Sequence, residues 1–365
     1  MTVVGATLAT LAEGSLLGQV QSQSPAATAP PQPDKPPVQH FAWGSGRGLG
    51  SDRGRERLAQ MRAAGVTGLL LNGGNITELA PIARKEGIEL HRWRWVLNRG
   101  WDRKLRRQHP QWYAVSREGK SCADHPPYVG HYRWLCPSRE PVYEFLRDEL
   151  VATAGIDGLA GVHFDYIRYP DVILPVALQP RYGLVQDREF PEYDYCYCEV
   201  CRAKFQQQGG EDPLKMQDPT QNEAWRQYRY DSVTRLVNRL VDAIHQAQPG
   251  VKVTAAVFPT PDIARKLVRQ DWPKWRLDAV MPMMYHRYYK KDVTSIGPWT
   301  REGVEALPAD RPLYSGLFVP SLQPPELAHA TELALENGAR GVCLFTYNAM
   351  TKEHWRRLSE VTKEA

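Results

Sequence analysis

Residues 158–170 read GLAGVHFDYIRYP. Leu159, Val162, Phe164 and Ile167 supply the apolar mass of a buried strand, yet His163, Asp165 and Arg168 sit among them. A buried strand carries a carboxylate only where the charge is paired or where the strand end opens into a site. Gly155 and Gly158 punctuate the turn ahead of it, and residues 149–153 read as the end of a helix. Asp165 is therefore either half of a structural Asp–Arg pair or a site carboxylate at the C-terminal end of a parallel strand.

Upstream lie three further strand patterns, at residues 40–43 (HFAW), 66–71 and 88–98 (IELHRWRWVLN). Four more lie downstream, at 251–258 (VKVTAAVF), 277–285 (LDAVMPMMY), 312–319 (PLYSGLFV) and 341–347 (GVCLFTY). Helical periodicity falls between them at 53–64, 76–86, 141–153, 225–247, 262–270 and 325–336, with a last helix from 351. Strands alternating with helices argue for an α/β fold with parallel strands. A count of eight predicts a (β/α)8 TIM barrel, with a doubly wound Rossmann-like sheet as the alternative. Two long loops, 99–139 and 170–224, follow strands three and four. Both would emerge at the C-terminal face, where barrels of this kind carry their sites.

Composition narrows the function classes. A formal charge of +5, from 46 basic and 41 acidic residues, is a weak bias, and no basic run accompanies a recognition module, so nucleic acid is not an expected partner. The GSGRGLG run at 44–50 lacks both the dinucleotide and the P-loop spacing. Eleven Trp and seventeen Tyr, many in Gly/Pro-rich segments, suit flat stacking surfaces for sugar rings. Residues 2–20 are small and apolar and precede a Pro/Ala/Gln stretch, like a secretory signal without its basic start. The expectation is a leader and linker over 1–37, a folded domain over 38–360, and an extracellular or periplasmic location, with a disordered cytosolic leader as the alternative. No stretch is long and apolar enough to suggest a transmembrane segment.

An ionised carboxylate at the end of strand four can attack an anomeric carbon or stabilise positive charge there, as glycoside cleavage requires. Arg168 is a candidate to hold Asp165 ionised, and His163 a candidate to hydrogen-bond substrate from the same strand. For a second acid the sequence offers Asp124 in the first long loop and Asp262 after strand five, besides Asp187, Glu189, Glu192 and Asp194 in the second loop. Substrate-assisted hydrolysis, with an N-acetyl group as nucleophile, removes the need for one. Tyr285 and His286 after strand six, and Tyr347 and Asn348 after strand eight, are proton-transfer or binding candidates. Trp43, His91, Trp93 and Trp95 are candidates to line a sugar site, although Arg92 and Arg94 alternate with the tryptophans and leave the register open.

Cys196, Cys198 and Cys201 form C-x-C-x2-C, with Cys136 and Cys122 in the neighbouring loop. Four thiolates, those of Cys196, Cys198, Cys201 and Cys136, can hold a structural zinc that staples the loops; two disulfides and one free thiol are the alternative. Cys343 reads as core. No HExxH or comparable cluster points to a catalytic metal, so no cofactor is expected for catalysis.

GVHFDYIRYP, WLCPSREPV, YCYCEVC followed by AKF, and DWPKWRLDAVMPMMY together resemble the bacterial glycoside-hydrolase-like 10 family. The resemblance implies a TIM barrel, a functional Asp at Asp165, and hydrolysis of glycosidic bonds in an envelope or extracellular polysaccharide. Many relatives carry two adjacent acids in strand four, whereas here Tyr166 follows Asp165. The Glu pair of family-10 xylanases is absent, so xylanase activity is not implied. A non-catalytic glycan-binding barrel is the alternative function.

Overall fold

The computed structural model describes residues 37–365; the leader and linker read over 1–37 lie, but for Pro37, outside them. Eight parallel strands, β1 (His40–Ser45), β2 (Val66–Asn72), β3 (Glu89–Trp95), β4 (Gly161–Asp165), β5 (Lys252–Val257), β6 (Ala279–Pro282), β7 (Tyr314–Phe318) and β8 (Gly341–Phe345), run in the order β6-β5-β4-β3-β2-β1-β8-β7. Bridges from Val280 to Leu313 and from Met283 to Gly316 join β6 to β7 and close the cylinder. The (β/α)8 barrel is the observed fold and the Rossmann-like alternative falls, because the first and last strands also pair, Trp43 against Phe345.

Among the described residues ten helices accompany it: α1 (Asp52–Ala63), α2 (Ile76–Lys85), α3 (Arg103–Gln108), α4 (Glu140–Ala154), α5 (Glu199–Gln207), α6 (Glu223–Ala247), α7 (Pro261–Val268), α8 (Ile296–Glu305), α9 (Pro324–Glu336) and α10 (Lys352–Glu364). Their starts follow local chemistry. Ser51, Asn222 and Thr260 each accept a backbone N–H of the first turn, satisfying donors that would otherwise be orphaned. Three helices, α3, α5 and α8, were not legible as helices in the sequence. In α8 Gly297, Pro298 and Gly303 interrupt the helical pattern, but Gly303 is there for packing: a Cβ would lie 2.7 Å from Leu313. Among the described residues no helix is long and apolar enough to cross a membrane.

Strands covered on both faces explain runs such as LLL in β2. Outward residues join the large core against the helices, including Leu69, Leu71, Val162, Phe164, Val280 and Leu344. Inward residues fill the lumen: Phe41, Trp43, Leu70, Ala256, Met281, Tyr314 and Cys343. The alternation settles the register of β3. Trp93 and Trp95 face inward, while Arg94 turns outward to Glu149 on α4. Large lumen side chains need small neighbours. Gly161 gives room to His91, whose Nδ1 would sit 2.3 Å from an added Cβ. His91 is fully buried and has nowhere to retreat. Gly161→Ala should therefore cost about 1–3 kcal/mol, read as a lowered denaturant midpoint with an unchanged slope.

Candidate active site at the barrel mouth

Asp165 ends β4 at the C-terminal mouth. The next residue, Tyr166, has φ 51°, a left-handed conformation that costs a non-glycine residue energy and is concentrated at functional sites. This reversal brings the Tyr166 N–H back onto Asp165 Oδ1 at 2.7 Å, while Trp93 Nε1 donates to Oδ2 at 2.9 Å. Both carboxylate oxygens are thus oriented by donors on two adjacent strands. Burial pushes the Asp165 carboxyl from 3.8 up to about 6, against the pull of the Tyr166 and Trp93 N–H groups and the more distant Arg168 charge.

Two aromatic walls flank it. One is Trp95 against Tyr166, ring centroids 4.6 Å apart, continued by Tyr132 and Trp134. The other comes from the ends of β6, β7 and β8: Tyr285 lies 5.3 Å from Phe318 and 6.0 Å from Phe345, and Tyr288 stands 5.5 Å from Phe318. Phe345 also meets Trp93 at 6.1 Å, joining the walls. Burial, and next the charge of Asp165, raise the pKa of the Tyr285 hydroxyl, so it stays protonated as a donor beside the carboxylate. Tyr132, Tyr166, Tyr288, Phe318 and Phe345 were not singled out from the sequence. Phe318 and Phe345 end their strands on the inward side, and that position was the available signal.

Other candidates lie elsewhere. Arg168 does not hold Asp165; it pairs with Asp171 at 2.9 Å and lies over the Trp134 ring at 4.6 Å, because the turn at Tyr166 swings it away. His163 sits below the mouth in the lumen, with Nε2 accepting from Trp43 Nε1 at 2.9 Å and Nδ1 bonded to Thr254 Oγ1 at 2.8 Å. Both ring nitrogens are engaged and the ring is fully buried, so it has no bond to offer substrate. Trp43, 1% exposed, floors the site from beneath. His91 is deeper still, near Phe41 and Glu89 at the opposite end of the barrel, away from any sugar in the mouth. Asp262 is exposed on α7 and pairs with Arg265 at 3.2 Å. Asp124 is exposed in the first long loop. His286 is buried under the turn after β6. Tyr347 donates to the Ser45 carbonyl and fills the space over Gly44; exposed Asn348 accepts from Arg57 at 3.0 Å.

Acids of the second long loop are likewise spent: Asp194 on Arg229 and Glu189 on Arg269. Asp187 is exposed beside Arg188, and Glu192 is half-buried.

The four-cysteine cluster lies behind this mouth. Cys136, Cys196, Cys198 and Cys201 are all buried, with their Sγ atoms within 4.8 Å of one another. Cys136 Sγ is 3.7 Å from Cys198 and 3.4 Å from Cys201. Zinc–sulfur bonds of about 2.3 Å at tetrahedral angles require sulfur separations of about 3.8 Å, so the set has the size of a metal cage. No cysteine is in a disulfide, so the alternative pairing does not hold in this structure. Val115 donates its N–H to Cys196 Sγ at 3.3 Å, the type of outer bond that steadies a thiolate ligand. Cys122 stands outside the cluster and Cys343 lines the lumen.

Comparison with solved structures finds the same barrel in several glycosidases. The glycoside hydrolase domain of PgaB (BpsB) from Bordetella bronchiseptica superposes with a TM-score of 0.61 at 11% identity, covering 89% of this chain and 98% of that one. A β-galactosidase from Halorubrum lacusprofundi gives 0.60 at 14%, covering 90% of this chain and 58% of its own length. α-L-Fucosidase isoenzyme 2 from Paenibacillus thiaminolyticus gives 0.53 at 15%, covering 90% and 49%. At such identities the likeness shows the fold alone. Comparison with curated proteins gives no match. Residues 185–318, from the second long loop through β7, match the Glycosyl hydrolase-like 10 family model, so the family that the motifs resemble is the one whose model this chain matches, and its enzyme class is that of the glycosyl hydrolases.

Proposed function

We propose that the protein hydrolyses an N-acetylated poly- or oligosaccharide, with Asp165 as proton donor and the substrate's own acetamido group as nucleophile. The observation that carries this reading is a single oriented carboxyl, raised to about 6, between two aromatic walls, while the neighbouring acids are held by arginines. Sugar rings stack on the walls. The acetamido carbonyl oxygen bonds to the anomeric carbon as the glycosidic C–O bond breaks and Asp165 passes its proton to the leaving oxygen. Water then opens the cyclic intermediate at the same carbon, giving its proton back to the Asp165 carboxylate. Two displacements retain the anomeric configuration. Tyr285 donates a hydrogen bond to the sugar from the opposite wall. A donor with a pKa of about 6 loses its proton above that pH, so kcat/KM should fall about tenfold per pH unit on the alkaline side.

The signal-like composition of residues 2–20 supports an envelope or extracellular polysaccharide as the natural substrate. The spacing and burial of the four cysteines support one structural Zn2+ per chain, bound by Cys136, Cys196, Cys198 and Cys201 and taking no part in the chemistry. Digestion of a glycan panel, with released products identified by mass, tests the activity. Shortened products from N-acetylated chains are expected; tight binding with no product would replace this reading with a glycan-binding barrel.

A further inference from the structure

The loop that carries Cys136 also carries the wall beside Asp165. Trp134, fully buried two residues before Cys136, packs its ring 5.5 Å from Tyr166 and beneath the Arg168 guanidinium at 4.6 Å. Its carbonyl accepts from Ala114 N at 2.8 Å, and Cys136 N donates to Trp112 O at 2.8 Å, tying residues 134–136 to the ribbon at 112–116. That ribbon is gripped on its other side by the remaining ligand loop: Tyr197 N donates to Val115 O at 2.8 Å, and Ser116 bridges to Tyr195. Tyr169, 1% exposed, lies further along the Asp165 turn, and its carbonyl accepts from Arg168 at 2.9 Å. The cluster thus reaches the Asp165–Asp171 turn through Trp134, which packs on both Tyr166 and Arg168.

We propose that the metal-loaded four-cysteine cluster positions Asp165, with Trp134 as the positioning residue, so that turnover depends on metal although no metal meets the substrate. This rests on the zinc reading above. Without a cation, the two cysteine-bearing segments lose their direct tie at the thiols and keep only hydrogen bonds such as those to the 112–116 ribbon, so the seat of Trp134 loosens and with it the ring that supports the left-handed turn at Tyr166.

The test uses the full chain, with metal content measured by elemental mass spectrometry and amide hydrogen exchange followed by peptide. One zinc per chain is expected. Chelation under reducing conditions should speed exchange at 113–116, 130–137 and 165–171 and leave β1, β2, β7 and β8 protected. It should lower kcat at least tenfold with little change in KM, and added zinc should restore both. Cys136→His, which keeps a zinc ligand, should retain metal and rate. Trp134→Leu should retain metal yet lose protection at 165–171 and lose kcat. Bound zinc whose removal leaves exchange at 165–171 unchanged would overturn the coupling and leave the zinc reading standing. Reduced protein that binds no zinc overturns both. If chelation unfolds the whole chain, Trp134→Leu decides: a metal-loaded variant with wild-type exchange at 165–171 refutes the inference.

Discussion

Asp165→Asn should lose turnover by about 10²–10⁴-fold while remaining folded, because the amide is nearly the same size but has no proton to give at the pKa the leaving oxygen requires. The same variant reads out the electrostatics of the mouth independently of any substrate. In the folded protein the carboxyl titrates at about 6, against 3.8 unperturbed. Below the lower value both states hold the proton and the group contributes nothing. Between the two values the unfolded chain ionises first, so stability falls as pH rises, and the whole penalty is present above about 6. At about 1.36 kcal/mol per unit the penalty is up to about 3 kcal/mol. Buried histidines act in an overlapping window with the opposite sign: burial lowers His40 to about 4, and its stabilising effect is lost as pH falls toward that value. The difference between wild type and Asp165→Asn isolates the Asp165 contribution. Denaturant unfolding at pH 4.5 and pH 8 should show wild type losing stability relative to the variant toward the higher pH. Parallel curves would mean that Asp165 is not desolvated as described.

A second large effect is expected away from the mouth. Asp194 and Arg229 form an ion pair in which both side chains are fully buried, and Tyr197 donates its hydroxyl to the same carboxylate. Arg229 also stacks over Trp225 at 5.1 Å, and two of its nitrogens have no other partner. Asp194→Ala leaves a fully buried guanidinium whose next counter-charge, Glu189, is already paired with Arg269. The cost should be about 3–5 kcal/mol. Asp242 makes the matching control, since its pair with Arg276 is more than half exposed on both sides and its removal should cost only about 0–1 kcal/mol. Urea midpoints of the two variants check the contrast, and equal midpoints would contradict it.

The barrel was legible because parallel strands buried on both faces leave continuous apolar runs, and residues 66–71 and 341–347 are of that kind. Asp165 was legible as a charge at the end of such a run. Its surroundings were less so. Period-two alternation places His163 on the same inward face as Asp165, but two residues deeper, where burial and two hydrogen bonds remove it from the substrate. Arg168 follows a left-handed residue that sequence does not announce, and the reversal sends it to Asp171. Phe318 and Phe345 were passed over because an apolar strand end is ambiguous until the lumen is known to open there. The helix α8 was hidden by glycines that serve close packing rather than a turn. The cysteine spacing identified three ligands with Cys136 of the neighbouring loop as the fourth, and the fold brings these four together and leaves Cys122 outside.

The central claim is that Asp165 works alone because the substrate brings the nucleophile. Matched oligosaccharides that differ only in the acetamido group at the cleaved sugar test it directly. Wild-type protein should release product from the N-acetylated chain and turn over the free-amine chain at least about 10²-fold more slowly, in keeping with the loss of an oriented intramolecular nucleophile. Equal rates on the two chains would contradict it and require a second protein carboxylate in the mouth.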